Sequence, residues 1–394
     1  MNKQVFKYLK YFFLSSFALI AILLIFARTS NQAVKYGFDK TIPFQLEGEG
    51  PFIALGGDSM AKIQYIHGNQ KEGFELQTQS VKLDTLLKLP IYYPLDNTDF
   101  LVSVDFKFQN EITTYPAANK IFAVSDLEGN YKTFRDLLLA NRVIDEALNW
   151  SFGDGRLILL GDFVDKGFFV TQTLWFIYKL EKEANKAGGK VHYILGNHEI
   201  NNLQGYHRST AQKYWYITNV LGLKRHEFYG IDSYLGRWLA TKNVAEKIGP
   251  YVFVHGGLHP DFAEHNLTLE QINEQVKAHF DIPYYNKKSS DPIYNLLYST
   301  KSAPSWYRGY FNKRIAQEKI NNLLKKFEAT QIIVGHTTLP RVSGHYEGKI
   351  IGIDVKSPQD HLKYFPYRRT EALLLEDGTW YRVNDKGLKK AIKL

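Results

Sequence analysis

Five short runs of β-type apolar residues in this chain each end abruptly in side chains that bind metal ions. The runs and their continuations are Ile121–Val124 before Ser-Asp-Leu-Glu-Gly-Asn, Leu157–Leu160 before Gly-Asp-Phe-Val-Asp-Lys-Gly, Val191–Leu195 before Gly-Asn-His-Glu, Tyr251–Val254 before His-Gly-Gly, and Gln331–Val334 before Gly-His-Thr. Because strands deliver their last residues to one edge of a sheet, we expect these polar residues to share a rim. Aspartate, asparagine and histidine gathered there predict a divalent-cation site and hydrolytic chemistry.

The segments between these runs predict an α/β fold with buried strands. Lys132–Val143 carries apolar residues at helical spacing, and a second helix is expected over Val170–Ala187. The stretch 200–250 is rich in tyrosine and tryptophan and has no ligand cluster, so we expect a mainly helical, cap-like insertion. Glu376-Asp377-Gly378 predicts a late hairpin.

Residues 31–117 contain no ligand cluster but many β signals. Runs rich in aromatic and β-branched residues occur at Phe52–Leu55, Lys62–Ile66, Phe74–Thr78 and Phe100–Phe106. We predict a small β-rich extension here, which precedes a main domain over residues 118–394.

The N-terminal residues 1–30 predict a membrane anchor. Lys3, Lys7 and Lys10 precede the apolar run Tyr11–Ala27, whose 17 residues would span about 25 Å as a helix. Positive charge lies mainly before the run, so the rest of the chain is expected to be exported, into the periplasm if the cell has an outer membrane. We favour an uncleaved signal anchor over a cleaved signal peptide.

Composition excludes several classes of chemistry and partner. The chain has no cysteine, which excludes disulfides, thiolate ligands and cysteine nucleophiles. Its net charge of +9 is spread along the sequence without a basic cluster or recognition motif, so no nucleic-acid partner is expected.

A two-metal centre needs one carboxylate that bridges both ions, with other ligands completing each shell. Asp162 follows its strand directly and is the natural bridge. Asp126 would serve the first metal, and Asn197, His255 and His336 would serve the second. One such residue after a strand is usually part of a turn, but five clusters in order favour a metal centre.

In order and spacing, these motifs resemble the calcineurin-like metallophosphoesterase superfamily, and within it the phosphoprotein phosphatases of the bacterial, Shewanella-like branch. The most specific matches are Gly161–Gly167, Gly196–Glu199, His255–Gly257 and Trp306–Gly309. The resemblance implies a β-sandwich flanked by helices. It also implies a phosphorylated substrate, either a phosphoprotein or a small phosphoester.

The resemblance further implies hydrolysis of phosphomonoesters in the manner of Ser/Thr protein phosphatases. Two divalent metal ions would share Asp162 and a bridging hydroxide. His198, held by Asp165, would protonate the leaving group, and Lys166 and Arg308 would bind the phosphoryl oxygens. Manganese is the expected metal, with iron, zinc and magnesium as alternatives.

Two positions depart from the family pattern. Its Asp-x-His motif reads Asp126-Leu127-Glu128 here, and Lys166 stands in place of an arginine. We expect Glu128 to ligate the first metal, which favours manganese or magnesium over zinc; the alternative is that Glu128 points away. Lysine keeps the charge but lacks the bidentate fork, so phosphate binding would depend more on Arg308.

Two alternative functions remain open from the sequence. A nucleotide phosphodiesterase or dinucleoside polyphosphate hydrolase uses similar metal motifs. A phosphate-binding pseudophosphatase would explain Glu128 and Lys166, but retention of the remaining catalytic residues argues against it.

Overall fold

The computed structural model describes residues 3–30, 32–57, 59–280, 282, 289–312 and 315–393. Within them the α-helices are α1 (Lys3–Thr29), α2 (Tyr131–Ala140), α3 (Val170–Lys186), α4 (Asn197–Leu203), α5 (Gln212–Val220), α6 (Tyr234–Ala240), α7 (Leu269–Lys277), α8 (Pro292–Tyr298), α9 (Gly309–Asn312) and α10 (Gln317–Lys326). Short 3₁₀ helices span Ile42–Phe44, Arg225–Glu227 and Pro260–Glu264.

The strands of the same residues fall into two six-stranded sheets and three smaller groups. They are β1 (Val34–Tyr36), β2 (Glu49–Gly56), β3 (Met60–Asn69), β4 (Gly73–Lys82), β5 (Leu87–Tyr93), β6 (Thr98–Val104), β7 (Thr114–Tyr115), β8 (Lys120–Val124), β9 (Arg156–Leu160), β10 (Lys190–Ile194), β11 (Ala245–Ile248), β12 (Tyr251–Val254), β13 (Gln331–Val334), β14 (Ser343–His345), β15 (Ile350–Gly352), β16 (Lys363–Phe365), β17 (Glu371–Glu376), β18 (Thr379–Asn384) and β19 (Lys389–Ala391).

The two large sheets pack face to face with helices outside them. Their strand orders are β10-β9-β8-β17-β18-β19 and β14-β15-β13-β12-β11-β7. Side chains alternate across β8, so Ile121 packs with Phe253 of the opposite sheet, whereas Phe122 lies in the outer layer with Phe134 of α2. This is the sandwich flanked by helices that the sequence predicts.

Parallel strands bring the five ligand clusters to one edge of the sandwich. Strands β8, β9 and β10 run parallel in one sheet, and β12, β13 and β15 run parallel in the other. The sequence led us to expect all five clusters at the edge of one sheet, and this is corrected: three clusters follow strands of one sheet, and two follow strands of the other. Runs that are buried on both faces do not reveal from sequence which sheet they join.

Residues of the predicted extension pack on α3 and on the stretch 200–250. The antiparallel sheet β2–β3–β4 and the hairpin β5–β6 form this layer. Glu49 of β2 is buried and accepts a hydrogen bond from Lys213 of α5 at 2.7 Å, and from Gln172 of α3 at 3.0 Å. Removing one partner of such a buried ion pair would cost about 3–5 kcal/mol, so this layer is firmly attached to the core.

Helix α1 projects from the rest of the chain with none of its residues buried. It is 27 residues long with a mean hydropathy of 2.2 in its most apolar window, long and apolar enough to cross a membrane. A signal sequence has the same properties. After α1 the chain returns to the main body, since β1 pairs antiparallel with β16 and places Lys35 opposite Tyr364.

Candidate metal centre and active site

Backbone strain is concentrated where the strands deliver their ligand residues. Thirteen non-glycine residues of the described chain have positive φ, and six of these are predicted site residues. These six are Asp126, Glu128, Asp162, Asp165, Lys166 and His336. Each such conformation costs of order 1–3 kcal/mol, so its clustering at one edge indicates a functional site.

Asp162, His255 and His336 form a buried group with metal-ligand geometry. One ligand atom from each lies within 4.8 Å of the others. His255 donates its Nδ1 hydrogen to the carbonyl oxygen of Leu160 at 2.6 Å, which leaves Nε2 facing Asp162 Oδ2 at 3.2 Å. Burial raises the pKa of Asp162, but the charges of His255 and His198 outweigh it and hold that pKa below its ordinary value. The carboxylate therefore stays ionised.

Two buried polar atoms beside this group have no hydrogen-bond partner among the described residues: Asn197 Oδ1 and His255 Nε2. Leaving such an atom unsatisfied costs about 1–3 kcal/mol. Both atoms are ordinary ligands of divalent cations. His255 Nε2 lies 3.2 Å from Asp162 Oδ2, and Asn197 lines the same cavity as Asp162. The donor set therefore fits a metal ion.

The half-buried Asp126 and the buried Asp354 form a second group of carboxylates. Asp126 accepts a hydrogen bond from the His336 main-chain nitrogen at 3.0 Å and contacts the Ser125 hydroxyl. Burial and the nearby charge of Asp354 raise the pKa of Asp126, and burial raises the pKa of Asp354 to about 6. Carboxylates brought together in this way are typical of a cation site.

Sequence reasoning missed Asp354 as a site residue. It follows the apolar run Ile350–Ile353, which includes β15, and its carboxylate accepts a hydrogen bond from Thr338 at 2.9 Å. The same pattern that identified the other five clusters was present at this strand end.

The two departures from the family pattern contact each other. Lys166 Nζ donates to the Glu128 carboxylate, and both side chains border the same cavity. The main-chain nitrogen of Glu128 donates to the carbonyl of Asp162 at 2.8 Å, which fixes the loop but not the side chain. In this structure the Glu128 carboxylate faces Lys166 and lies outside the three-residue ligand group.

His198 lies beside the ligand group and is held from behind. Its Nδ1 is 2.8 Å from Asp165 Oδ2, and Thr210 donates to the other oxygen of Asp165 at 3.0 Å. Its Nε2 lies 3.8 Å from Asp162 Oδ2. Burial lowers the pKa of His198, but Asp162 and Asp165 outweigh it and raise that pKa to about 9. The ring therefore carries a proton at neutral pH.

Glu199 holds the ligand loops together from below. Its carboxylate accepts hydrogen bonds from the main-chain nitrogens of Asp162, Phe163 and Gly196 at 2.8–2.9 Å. A side chain at Gly196 would come within 2.2 Å of Asp162 Oδ1, so only glycine allows this approach. Glu199 therefore has a structural role at the base of the site.

A cavity of 580 Å³ opens over these residues. The predicted site residues that line it are Asp126, Glu128, Asp162, Lys166, Asn197, His198, Arg308 and His336. Asp165 and His255 support these from behind. Arg308 contacts the carbonyl oxygen of His336 and lies 3.3 Å from its Nδ1. The structure thus brings all ten predicted residues into one region.

Comparisons with known proteins agree with this geometry. Residues 119–340 match the family model of the calcineurin-like phosphoesterases. Shewanella-like protein phosphatase 2 of Arabidopsis thaliana is 30% identical over 214 residues, which cover 43% of this chain and 54% of the relative. Shewanella-like protein phosphatase 1 of Plasmodium berghei is 26% identical over 247 residues, 60% of this chain and 66% of the relative. The chain thus spans about half to two thirds of these relatives.

Among solved structures, a cold-active protein-tyrosine phosphatase of a psychrophilic Shewanella species is similar over nearly its whole length. The two share 30% sequence identity and a TM-score of 0.75, with 87% of this chain and 98% of the other covered. The similarity therefore extends well beyond residues 119–340.

Proposed function

Because the chain belongs to the calcineurin-like phosphoesterase family and is a phosphatase hydrolase, we propose that it hydrolyses phosphomonoesters with two divalent metal ions. The observation that carries the proposal is the placement of His198, hydrogen-bonded to Asp165, beside the ligand group Asp162, His255 and His336. A proton donor next to a metal site at the floor of an open cavity suits cleavage of a phosphate ester.

The described residues offer ligands for two ions. Asp162, Asn197, His255 and His336 would hold one ion, and Asp126 with Asp162 and Glu128 or Asp354 would hold the other. When bound, such ions lower the pKa of water and neutralise phosphoryl charge. The oxygen-rich second set favours manganese or magnesium over zinc.

His198 would donate the proton that the leaving oxygen needs. Asp165 fixes the ring through Nδ1, which directs the Nε2 hydrogen into the cavity. Thr210 in turn fixes Asp165, so His198 is oriented by a chain of two hydrogen bonds. Asp165 acts here as a positioning residue.

Arg308 and Lys166 would bind the phosphoryl oxygens. Both line the cavity beside the ligand group. Arginine offers a planar pair of donors that matches two oxygens, whereas lysine offers one point charge that is already shared with Glu128. We expect Arg308 to contribute more to substrate affinity.

We further propose that α1 anchors the protein in a membrane, with residues 118–394 as an exported catalytic domain. Residues 31–117 would act as an extension of that domain, and 200–250 as a cap-like insertion. The substrate would be a phosphoprotein or a small phosphoester. The names of the relatives include protein phosphatases and a protein-tyrosine phosphatase, so both alkyl and aryl phosphates should be tested.

Side-by-side hydrolysis of p-nitrophenyl phosphate and its bis-ester, with manganese present, tests this function. We expect the monoester to be strongly preferred, and His198→Ala to remove the activity, which excludes a contaminating enzyme. Preference for the bis-ester would favour a nucleotide phosphodiesterase and contradict the proposal. Peptides with phosphoserine and phosphotyrosine would then separate the two kinds of monoester.

A further inference from the structure

The catalytic cavity extends beyond the metal centre into a region of different chemistry. Its other lining residues include Gln32, Lys35, Lys356, Ser357, Gln359, Tyr364 and Arg368. Three of these are cations and none is a carboxylate. The carboxylates that line the cavity, those of Asp126, Glu128, Asp162 and Asp354, all belong to the metal centre. We call the first region the cationic end.

Arg368 is the most unusual residue of the cationic end. It is 3% exposed, and its Nε atom has no hydrogen-bond partner in the described part of the chain. The guanidinium lies over the ring of Tyr364, 4.9 Å from its centroid, and no carboxylate of the described residues pairs with it. A buried charge without a counterion is costly, and an anion that enters the cavity would remove that cost.

The neighbours of Arg368 hold the cationic end in a fixed shape. The Tyr364 hydroxyl accepts a hydrogen bond from the main-chain nitrogen of Gln359 at 3.0 Å. The Gln359 side-chain oxygen accepts one from Lys35 at 3.3 Å. The pairing of β1 with β16 places Lys35 opposite Tyr364. A site that is organised before the ligand arrives loses less entropy on binding.

The same region is tied to the loop that carries the metal ligands. Asp360 is half-buried and accepts hydrogen bonds from the main-chain nitrogens of Lys132 and Thr133, at 2.7 and 2.9 Å. Its own main-chain nitrogen donates to Asn130 at 3.0 Å. Because Asn130 directly follows the Asp126–Gly129 loop, the two ends of the cavity are held in a defined relation.

We propose that the cationic end is a second anion subsite, and that the substrate is a small phosphomonoester with a second phosphate or carboxylate. This inference rests on the proposed function, which supplies the site for the scissile phosphoryl group. The second anion would pair with Arg368, with Lys35 and Lys356 adding positive potential at the cavity mouth.

The test compares substrates that differ only in the second anion. The full-length protein, loaded with manganese, is assayed on α,ω-alkanediol bisphosphates of increasing length, on ω-phosphoalkanoates and on the matching alkanediol monophosphates. In one of the two doubly anionic series, the substrate of optimal chain length should have a kcat/KM roughly ten- to a hundredfold higher than the monophosphate of the same length. The series with the higher kcat/KM, bisphosphates or phosphoalkanoates, identifies the second anion as phosphate or carboxylate.

The variant Arg368→Met should remove this preference and keep the volume of the side chain. Because it replaces a buried unpaired charge by an apolar group, it should unfold at the same or a higher temperature than the wild type. Arg341→Met, at an exposed arginine outside the cavity, is the matched control and should retain the preference. Equal kcat/KM values for the wild type, or a preference that survives in folded Arg368→Met, would overturn the subsite.

A binding measurement tests the subsite independently of the proposed function. If no phosphomonoester is hydrolysed, the proposed function fails, and calorimetry with non-hydrolysable alkane bisphosphonates and alkylphosphonates still decides the subsite. Tighter binding of the bisphosphonate, lost in Arg368→Met, supports it. Equal binding of both compounds refutes it.

Discussion

The two ends of the catalytic cavity are built from opposite charges and from different parts of the chain. The metal end consists of acidic and imidazole side chains that follow core strands, and several of them have strained backbone or are held by buried hydrogen bonds. The cationic end comes from β1, β16 and the segments beside them, and it keeps an unpaired arginine. The difference suggests that one end performs the chemistry while the other selects the substrate.

The largest expected effect tests the metal end. Asp162→Asn removes the charge that would bridge two ions, so activity should fall to background and bound metal should drop, as measured by elemental analysis and phosphate release. The exposed Asp154→Asn is the matched control and should leave both unchanged. A variant with full metal content and full rate would disprove the bridging role.

His198→Ala should separate catalysis from metal binding. Loss of a general acid should reduce kcat by about 10²–10⁴-fold while the metal content stays at the wild-type level. Asp165→Asn should cause a smaller loss, because it weakens orientation of the ring without removing the donor. The half-buried His265→Ala, outside the cavity, serves as control. Metal loss in His198→Ala would mean that His198 is a ligand.

Exchange of the pair Glu128 and Lys166 tests the first metal site. Glu128→His should shift the ratio of rates with zinc and manganese toward zinc, because imidazole suits zinc better than a carboxylate does. Together with Lys166→Arg and the variant that carries both substitutions, it completes a double-mutant cycle. The interaction energy of contacting residues in such a cycle is about 0.5–3 kcal/mol. Because the Lys166 side chain is 44% exposed, solvent weakens its ion pair with Glu128, and we expect a value near the lower limit. An unchanged metal preference would show that Glu128 does not coordinate.

The smallest effect concerns His361, which lies in sequence between Gln359 and Tyr364 of the cationic end. Its ring packs between Phe38 and Phe168, with ring centroids 5.4 and 4.6 Å away. Burial, followed by the charge of Lys35, lowers the pKa of His361 to about 4. The unfolded chain binds this proton near pH 6.5, so the stability contribution is complete above that pH and is lost as pH falls toward about 4.

Denaturant unfolding of His361→Phe at several pH values measures this contribution. The variant should lose less stability than the wild type between pH 6.5 and 4. In Lys35→Met, the pKa of His361, measured by NMR titration, should rise toward its ordinary value. An unchanged pKa in that variant would contradict the positive potential assigned to this end of the cavity.

The ligand clusters of the metal end could be located from the sequence alone, for a physical reason. Buried strands read as apolar runs, and ligands at their ends stand out, so the fold and the recognised family are confirmed. Strand bounds differ by a residue or two, as at β10, which ends at Ile194. Asp354 was missed although the apolar run Ile350–Ile353 precedes it in the same way.

The cationic end could not be predicted in the same way. Lys35 and Arg368 belong to no motif, and they come together only because β1 crosses back to β16. An arginine without a partner is visible only once burial and contacts are known. The assignment of the strands to two separate sheets could not be predicted either, because strand pairing depends on residues far apart in the sequence.

Metal titration of the chelator-stripped, full-length protein tests the central claim most directly. Manganese is added back while bound metal and hydrolysis of p-nitrophenyl phosphate are measured together. We expect activity to appear with metal binding and to level off at about two ions per chain, as a two-metal site requires. Full activity in the stripped protein, or saturation at a single ion, would contradict it.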